Sequence, residues 1–199
     1  MRKVCKYQPD ESLLAIKKEQ LALLEAQSKN GNIALYYGDE SSVSESAYVP
    51  YAWQFEDEKV AIAATHGQRI NCFGLISRAN DFIFKTTTKS IDANFIVDFF
   101  DEISLKIKQK TVFVLDNASI HVAQKVKERL SYWQNRGLHI FYLPPYSPHL
   151  NSIERVWKEL KARWLKPQDY LSFDNLCYYL NQCLSQVGNE LTIKYSDYS

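Results

Sequence analysis

The chain is predicted to fold as a mixed α/β sheet flanked by helices, and three features of its 199 residues predict it. Extended segments follow one another before any central helix, as in an antiparallel meander. Strand and helix patterns then alternate, as they do when parallel strands are added to the same sheet. The composition is that of one ordinary globular domain, with 46% hydrophobic, 14% aromatic and 24% charged residues. These proportions exclude disorder, a collagen-like repeat and a small disulfide scaffold. A chain of this length buries roughly 70% of its unfolded surface, enough for one sizeable core.

Each element has its own signal. Residues 10–28 space Leu14, Leu21 and Leu24 among charges at a helical period, and the turn formers of SKNGN (28–32) end it. Residues 1–32 are expected to be a connector helix ahead of a domain at 33–199. Its leucines would pack on that domain or join a second copy. From Ile33, IALYY reads as a short apolar strand that closes at Gly38-Asp39-Glu40. Lys59–Ala63 and Arg69–Ser77 read as extended, with Phe82–Lys85 a further strand after the turn-like RAND. Residues 92–109 place Phe95, Ile96, Phe99, Ile103 and Ile107 on one helical stripe behind the candidate cap Asp92. TVFVLDNAS is a continuous apolar strand ending at Asp116, which implies burial on both faces. Val122, Val126, Leu130 and Trp133 mark a helix over 122–134, and Leu138–Leu143 another buried strand. PPYSP punctuates, and helices over Ser152–Leu165 and Phe173–Gln186 complete the chain. A meander followed by alternation is the ribonuclease H-like arrangement. A doubly wound nucleotide-binding sheet would need a helix straight after its first strand.

Charge and cysteines narrow the setting. Lys and Arg number 24 against 23 Asp and Glu, a formal charge of +1. A near-neutral molecule has no strong overall attraction to nucleic acid or membrane, so any DNA contact must come from local patches. Cys5, Cys72, Cys177 and Cys183 form no CxxC pair, and the start MRKVCKYQPDES is polar. No apolar run approaches the roughly 20 residues of a membrane helix. Free thiols in a soluble cytoplasmic protein are expected.

Three acids sit where elements are expected to end or begin: Asp39, Asp116 and Glu154. If the first and fourth strands are neighbours, Asp39 and Asp116 emerge side by side at one edge of the sheet. Glu154 opens a helix that starts near the same edge. Converging carboxylates repel one another unless cations neutralise them. Hard oxygen donors with open positions suit Mg²⁺ or Mn²⁺. Two such ions about 4 Å apart can activate a water and stabilise the leaving oxygen of a phosphodiester. Each acid also has a structural explanation. Asp at a strand end is common turn chemistry, and Asn151-Ser152-Ile153-Glu154 has the pattern of a capping box.

YYGDES, FVLDNASIH and LPPYSPHLNSIERVWKELK resemble the three blocks of the DDE endonuclease domain of bacterial insertion-sequence transposases related to the mariner superfamily. The resemblance runs over about residues 33–166. It implies that Asp39, Asp116 and Glu154 are the metal-binding catalytic acids, with two Mg²⁺ or Mn²⁺ ions per site. It implies DNA cleavage at transposon ends and attack of the freed 3′-hydroxyl on target DNA, with a homodimer in the active complex and a cytoplasmic, nucleoid-associated location. Between Asp116 and Glu154 lie 37 residues, slightly more than is usual in that superfamily. Family members carry a helix-turn-helix region before the first acid. Only 38 residues precede Asp39 and none read as that motif, so an upstream helix-turn-helix half is an expected partner.

Asn117 and His121 complete DNAxxH and would shape the metal site or contact DNA phosphate; alternatively they make a turn and begin a helix. Arg155, Lys158 and Lys161, with Arg163 and Lys166, would line a channel for the phosphate backbone, although a basic run is usually a solvated face. Lys125, Lys127, Arg129 and Arg136 form a second basic cluster. His66, His139 and His149 lack zinc spacing. Two other functions compete with the nuclease. One is a transposase remnant that keeps DNA or partner binding without catalysis. The other is a Mg²⁺-dependent phosphoacceptor domain, disfavoured by the missing helix after Asp39.

Overall fold

The computed structural model describes residues 10–45 and 67–195; the extended segment expected over Lys59–Ala63 lies outside them. Five strands form one sheet in the order β3-β2-β1-β4-β5. β1 (Ala34–Ser44), β2 (Arg69–Ile76) and β3 (Phe82–Thr87) are antiparallel neighbours, while β4 (Thr111–Leu115) and β5 (Leu138–Tyr142) continue the sheet in parallel beyond β1. This is the ribonuclease H-like topology that the element order predicts.

Strand alternation divides the apolar residues between two cores. Leu35, Tyr37, Val112 and Val114 face α1 (Glu11–Lys29), α4 (Glu154–Glu159) and α5 (Phe173–Gln186). Phe73, Leu75, Phe113 and Leu115 face α2 (Ala93–Ser104) and α3 (Gln124–Asn135). All five residues of β4 are buried, as a central strand covered on both faces must be. β5 differs from its expectation. It is the edge strand, and only Leu138 is fully buried.

The helices follow their caps. Asp92 accepts from Phe95 N at 2.9 Å and starts α2, which ends at Ser104 and leaves Ile107 beyond it. Ser172 accepts from Asn175 N and starts α5 over the expected span. The helix expected over Ser152–Leu165 is instead split. α4 covers Glu154–Glu159 and widens into a π turn over Leu160–Trp164, closed by Leu165 N donating to Leu160 O at 3.0 Å. α1 buries Leu21 against the sheet, with Leu14 and Leu24 packed beside it. Its Glu25 accepts from the Tyr37 hydroxyl and pairs with Arg78 Nε at 2.8 Å.

The C-terminal segment is tied back onto the β2–β3 turn. Asn80, in the left-handed region at φ 66°, donates to Ile193 O at 3.1 Å and accepts from Ile193 N at 2.6 Å. Gly188, at φ +90°, lies so close that a Cβ there would collide with Asn80 O. Among the described residues Cys72, Cys177 and Cys183 are free thiols. No helix among them is long and apolar enough to cross a membrane.

Candidate active site

Asp39 does not close its strand. β1 continues to Ser44 because β2 pairs with it along that whole length, with Asp39 opposite Gly74. What stops before Asp39 is the parallel pairing to β4, whose last pair is Tyr37 with Val114. Extending that register by two residues sets Asp39 opposite Asp116, on strands about 4.8 Å apart. Asp116 is the first residue after β4. Gly38, the residue before Asp39, leaves room for the side chains of Leu75 and Leu115, whose Cδ2 atoms a Cβ would approach to 2.7 Å.

Glu154 is brought to the same place by two contacts remote in sequence. Asn151 Nδ2 donates to Gly38 O at 3.1 Å, tying the turn before α4 to the residue before Asp39. Asn151 therefore does not cap the helix through its side chain, and the capping-box explanation of Glu154 fails. Gly74 leaves the sheet bare beneath α4, where a Cβ would meet Trp157 Cη2 at 2.9 Å. Asp39, Asp116 and Glu154 line one cleft of about 470 Å³, closed on its other side by Pro145, Tyr146 and Pro148. Asp39 and Glu154 also border a second cleft of about 510 Å³ that runs on past Ser41, Arg69, Asn71 and Lys161.

The acids feel one another. Burial, with the charges of Glu40, Asp116 and Glu154, pushes the Asp39 carboxyl up to about 8. Glu154 is raised by burial, with Asp116 and Glu40 adding to it and Lys161 opposing. Asp116 is lowered, first by the hydrogen bond from His121. This all-oxygen, mutually repelling set has the donor chemistry of a hard divalent cation. Among the described residues, however, no three His, Cys, Asp or Glu side chains stand together as a ready-made metal cage.

The neighbouring residues divide in ways that the sequence did not show. His121 has no exposed side-chain surface, so it cannot touch a DNA phosphate in this structure, against that expectation. Its Nδ1 lies 2.8 Å from Asp116 Oδ1, and its Nε2 approaches Glu40 Oε2 at 3.2 Å without hydrogen-bond alignment. Burial alone would lower its pKa, but the two carboxylates prevail and raise it to about 9. Asn117 is exposed and its side chain donates to Leu143 O, joining the ends of β4 and β5. Lys161 shares the cleft of Asp39 and Glu154. Arg155 and Lys158 do not. They line a separate groove with Arg163 and Lys194, because they lie roughly 40–100° around the helix from Glu154. Arg155 also donates to Lys194 O at 2.6 Å. Sequence reasoning missed Glu40. Its one signal is that it follows Asp39, and strand alternation turns it to the opposite face of the sheet from Asp39.

Fold and site together define a ribonuclease H-like domain with an acidic centre where β1 and β4 part. The chain belongs to the DDE superfamily endonucleases, whose sequence profile matches residues 34–177. Its fold is similar to that of the Mos1 transposase in a paired-end complex with left transposon end (TM-score 0.60, 14% identity, 93% of this chain and 59% of that one). It is similar also to the catalytic domain of Mos1 mariner transposase (TM-score 0.54, 13% identity, 92% and 85% covered). At these identities the likeness is one of fold. A curated relative, "Uncharacterized protein y4pE/y4sA" of Sinorhizobium fredii (strain NBRC 101917 / NGR234), is 29% identical over 86 residues, 41% of this chain and 59% of that protein. The chain thus spans about three fifths of the length of this relative and of the paired-end Mos1 chain.

Proposed function

We propose that this chain is the catalytic domain of a transposase that cleaves DNA at transposon ends and joins the freed 3′-hydroxyl to target DNA. The observation that carries the reading is that Asp39, Asp116 and Glu154, from three distant parts of the sequence, line one cleft. In this reading they are the catalytic acids and would hold two Mg²⁺ or Mn²⁺ ions, whose chemistry is to activate the attacking oxygen and stabilise the leaving one. The chain's own residues do the rest. Asn151 ties the start of α4 to β1, and Gly74 of β2 leaves room for Trp157 to seat on the sheet, so Glu154 is delivered from a fixed element. Clefts on both sides of Asp39 and Glu154 leave a path for a strand across the acids, with Lys161 and Arg69 placed to meet its phosphates. Residues 33–199 act as the catalytic unit, and α1 of the 1–32 segment docks on it through Leu21. The partners are transposon-end and target DNA, a second copy and a helix-turn-helix half. The site of action is the nucleoid.

A second reading is a remnant that binds DNA or a partner without catalysis. It draws on the lack of a ready-made cage among the described residues. Mn²⁺-dependent nicking and strand transfer on transposon-end DNA, with the helix-turn-helix half supplied, separates the two. Asp39→Asn, Asp116→Asn and Glu154→Gln are each expected to abolish activity. A folded variant that keeps full activity removes its residue from the site, and an inactive parent chain supports the remnant.

A further inference from the structure

Resting on the reading of Asp39, Asp116 and Glu154 as an ion-binding site, we infer that His121 and Glu40 are positioning residues for Asp116. His121 occupies one oxygen of that carboxylate so that the other is presented to a cation, and Glu40 braces the imidazole from behind.

The contacts on Asp116 are one-sided. Oδ1 accepts from Ala118 N at 2.9 Å and meets His121 Nδ1 at 2.8 Å, so Oδ2 is the oxygen left for an outside ligand. Asp39 shows the same pattern, with Glu40 N donating to its Oδ1 at 2.8 Å. Asp116 lies past the end of β4, where no ladder hydrogen bond holds it, so these side-chain contacts are what set its direction.

The imidazole can act as a fixed tether because it is itself held on every side. The main chain of His121 is fixed, its N donating to Ala118 O at 2.9 Å and its carbonyl accepting from the Tyr142 hydroxyl at 2.9 Å. Its ring packs edge-on to Phe73, with centroids 5.8 Å apart. Glu40 approaches the far nitrogen at 3.2 Å. Strand alternation explains the division of labour: Asp39 faces α4 and Glu154, while the next residue, Glu40, faces the side on which His121 lies. Both ring nitrogens face carboxylates, Nδ1 that of Asp116 and Nε2 that of Glu40, and the ring has no exposed surface, so the role assigned to it is positioning rather than proton transfer. Partners that orient a metal-binding carboxylate are worth about 10- to 100-fold in metal affinity.

The test is Mn²⁺ binding to the full chain, followed by calorimetry and by the Mn²⁺ electron paramagnetic resonance signal, with circular dichroism to confirm folding. Asp116→Asn is expected to abolish binding. Unchanged binding in that variant would overturn the ion-site reading itself. With that control satisfied, His121→Leu is expected to weaken Mn²⁺ binding by about 10- to 100-fold, and a folded His121→Leu protein with parental affinity overturns the proposal. The pair His121→Asn and His121→Gln decides the matter even if the leucine variant fails to fold. The Asn amide nitrogen takes the place of Nδ1 and restores the bond to Asp116, whereas the Gln amide reaches toward Glu40 instead. Affinity should therefore recover in the Asn variant and stay low in the Gln variant. Equal affinities would assign His121 a purely structural role. Glu40→Gln, which keeps the brace without its charge, is expected to lose less affinity than His121→Gln, and a greater loss would contradict the bracing role.

Discussion

Asp101 shows how one polar residue can organise a largely apolar interface. It lies on α2, accepts a bidentate pair from Arg129 of α3 at 2.8–3.1 Å, and accepts from the indole of the fully buried Trp133 at 2.7 Å. Burial works against the charged carboxylate, but these donors prevail and hold its pKa below the usual range. A depressed acid contributes stability that is present above its unfolded pKa, about 3.9, and is lost as pH falls through the folded value. Asp101→Asn should therefore cost about 1–3 kcal/mol at pH 7, where it weakens the bond to a buried donor. The cost should shrink near pH 3. Urea unfolding at the two pH values checks this, and an equal loss at both would show that charge has no part in the contact. Arg129, expected to belong to a basic surface cluster, thus has a structural task.

At the scale of elements, the decisive joint is α4 against β1 and β2. α4 has only six residues and cannot hold a position by its own propensity. It is seated by Ile153, Val156, Trp157 and Leu160, all buried, and by the Asn151 bond to Gly38. Trp157 lies over Gly74 and meets Phe82 edge-on at 6.3 Å. A methyl group on Gly74 would fall 2.8 Å from Phe82 Cε2 and 2.9 Å from Trp157 Cη2, so both rings would have to move. Gly74→Ala is expected to destabilise the protein by about 1–3 kcal/mol. Because Gly74 is the β2 partner of Asp39, the same change should shift Glu154 relative to Asp39. Thermal unfolding and tryptophan fluorescence measure the two effects. An unchanged melting temperature would mean that the joint has slack.

Across the whole molecule, the acidic centre should set the pH dependence of the metal-free state. The Asp39 pKa is raised to about 8 from an unfolded value near 3.9. A raised acid favours the folded state only while protonated, so its contribution is present below about pH 4 and lost as pH rises through about 8. The His121 pKa, raised to about 9, gives stability that is present below about 6.5 and lost on the same alkaline side. Without divalent ions the chain should weaken between about pH 4 and pH 9. Asp39→Asn should then be more stable than the parent at pH 9 by about 0.5–2 kcal/mol, with little gain at pH 4. Mn²⁺ at 100 times its dissociation constant should stabilise the parent by about 2.7 kcal/mol and the variant much less. Thermal unfolding with and without Mn²⁺ tests both. A variant stabilised as much as the parent would take Asp39 out of ion binding.

What the sequence determined by itself is whatever repeats locally or is carried by motif residues. The apolar run of β4, the cap Asp92, the α5 span and the element order were legible because each depends on residues a few positions apart. So was the family. Only the tertiary structure decided the rest. It ran β1 on through Asp39 to Ser44, because the partner that extends it is β2. It made β5 an edge, turned Asn151 from a helix cap into a link to Gly38, and buried His121 between Asp116 and Glu40. It also placed Lys161 in one groove and Arg155 and Lys158 in another. Each of these depends on which distant segment packs alongside. Periodicity records which face of an element is apolar, and it carries no information about the neighbour that will cover that face.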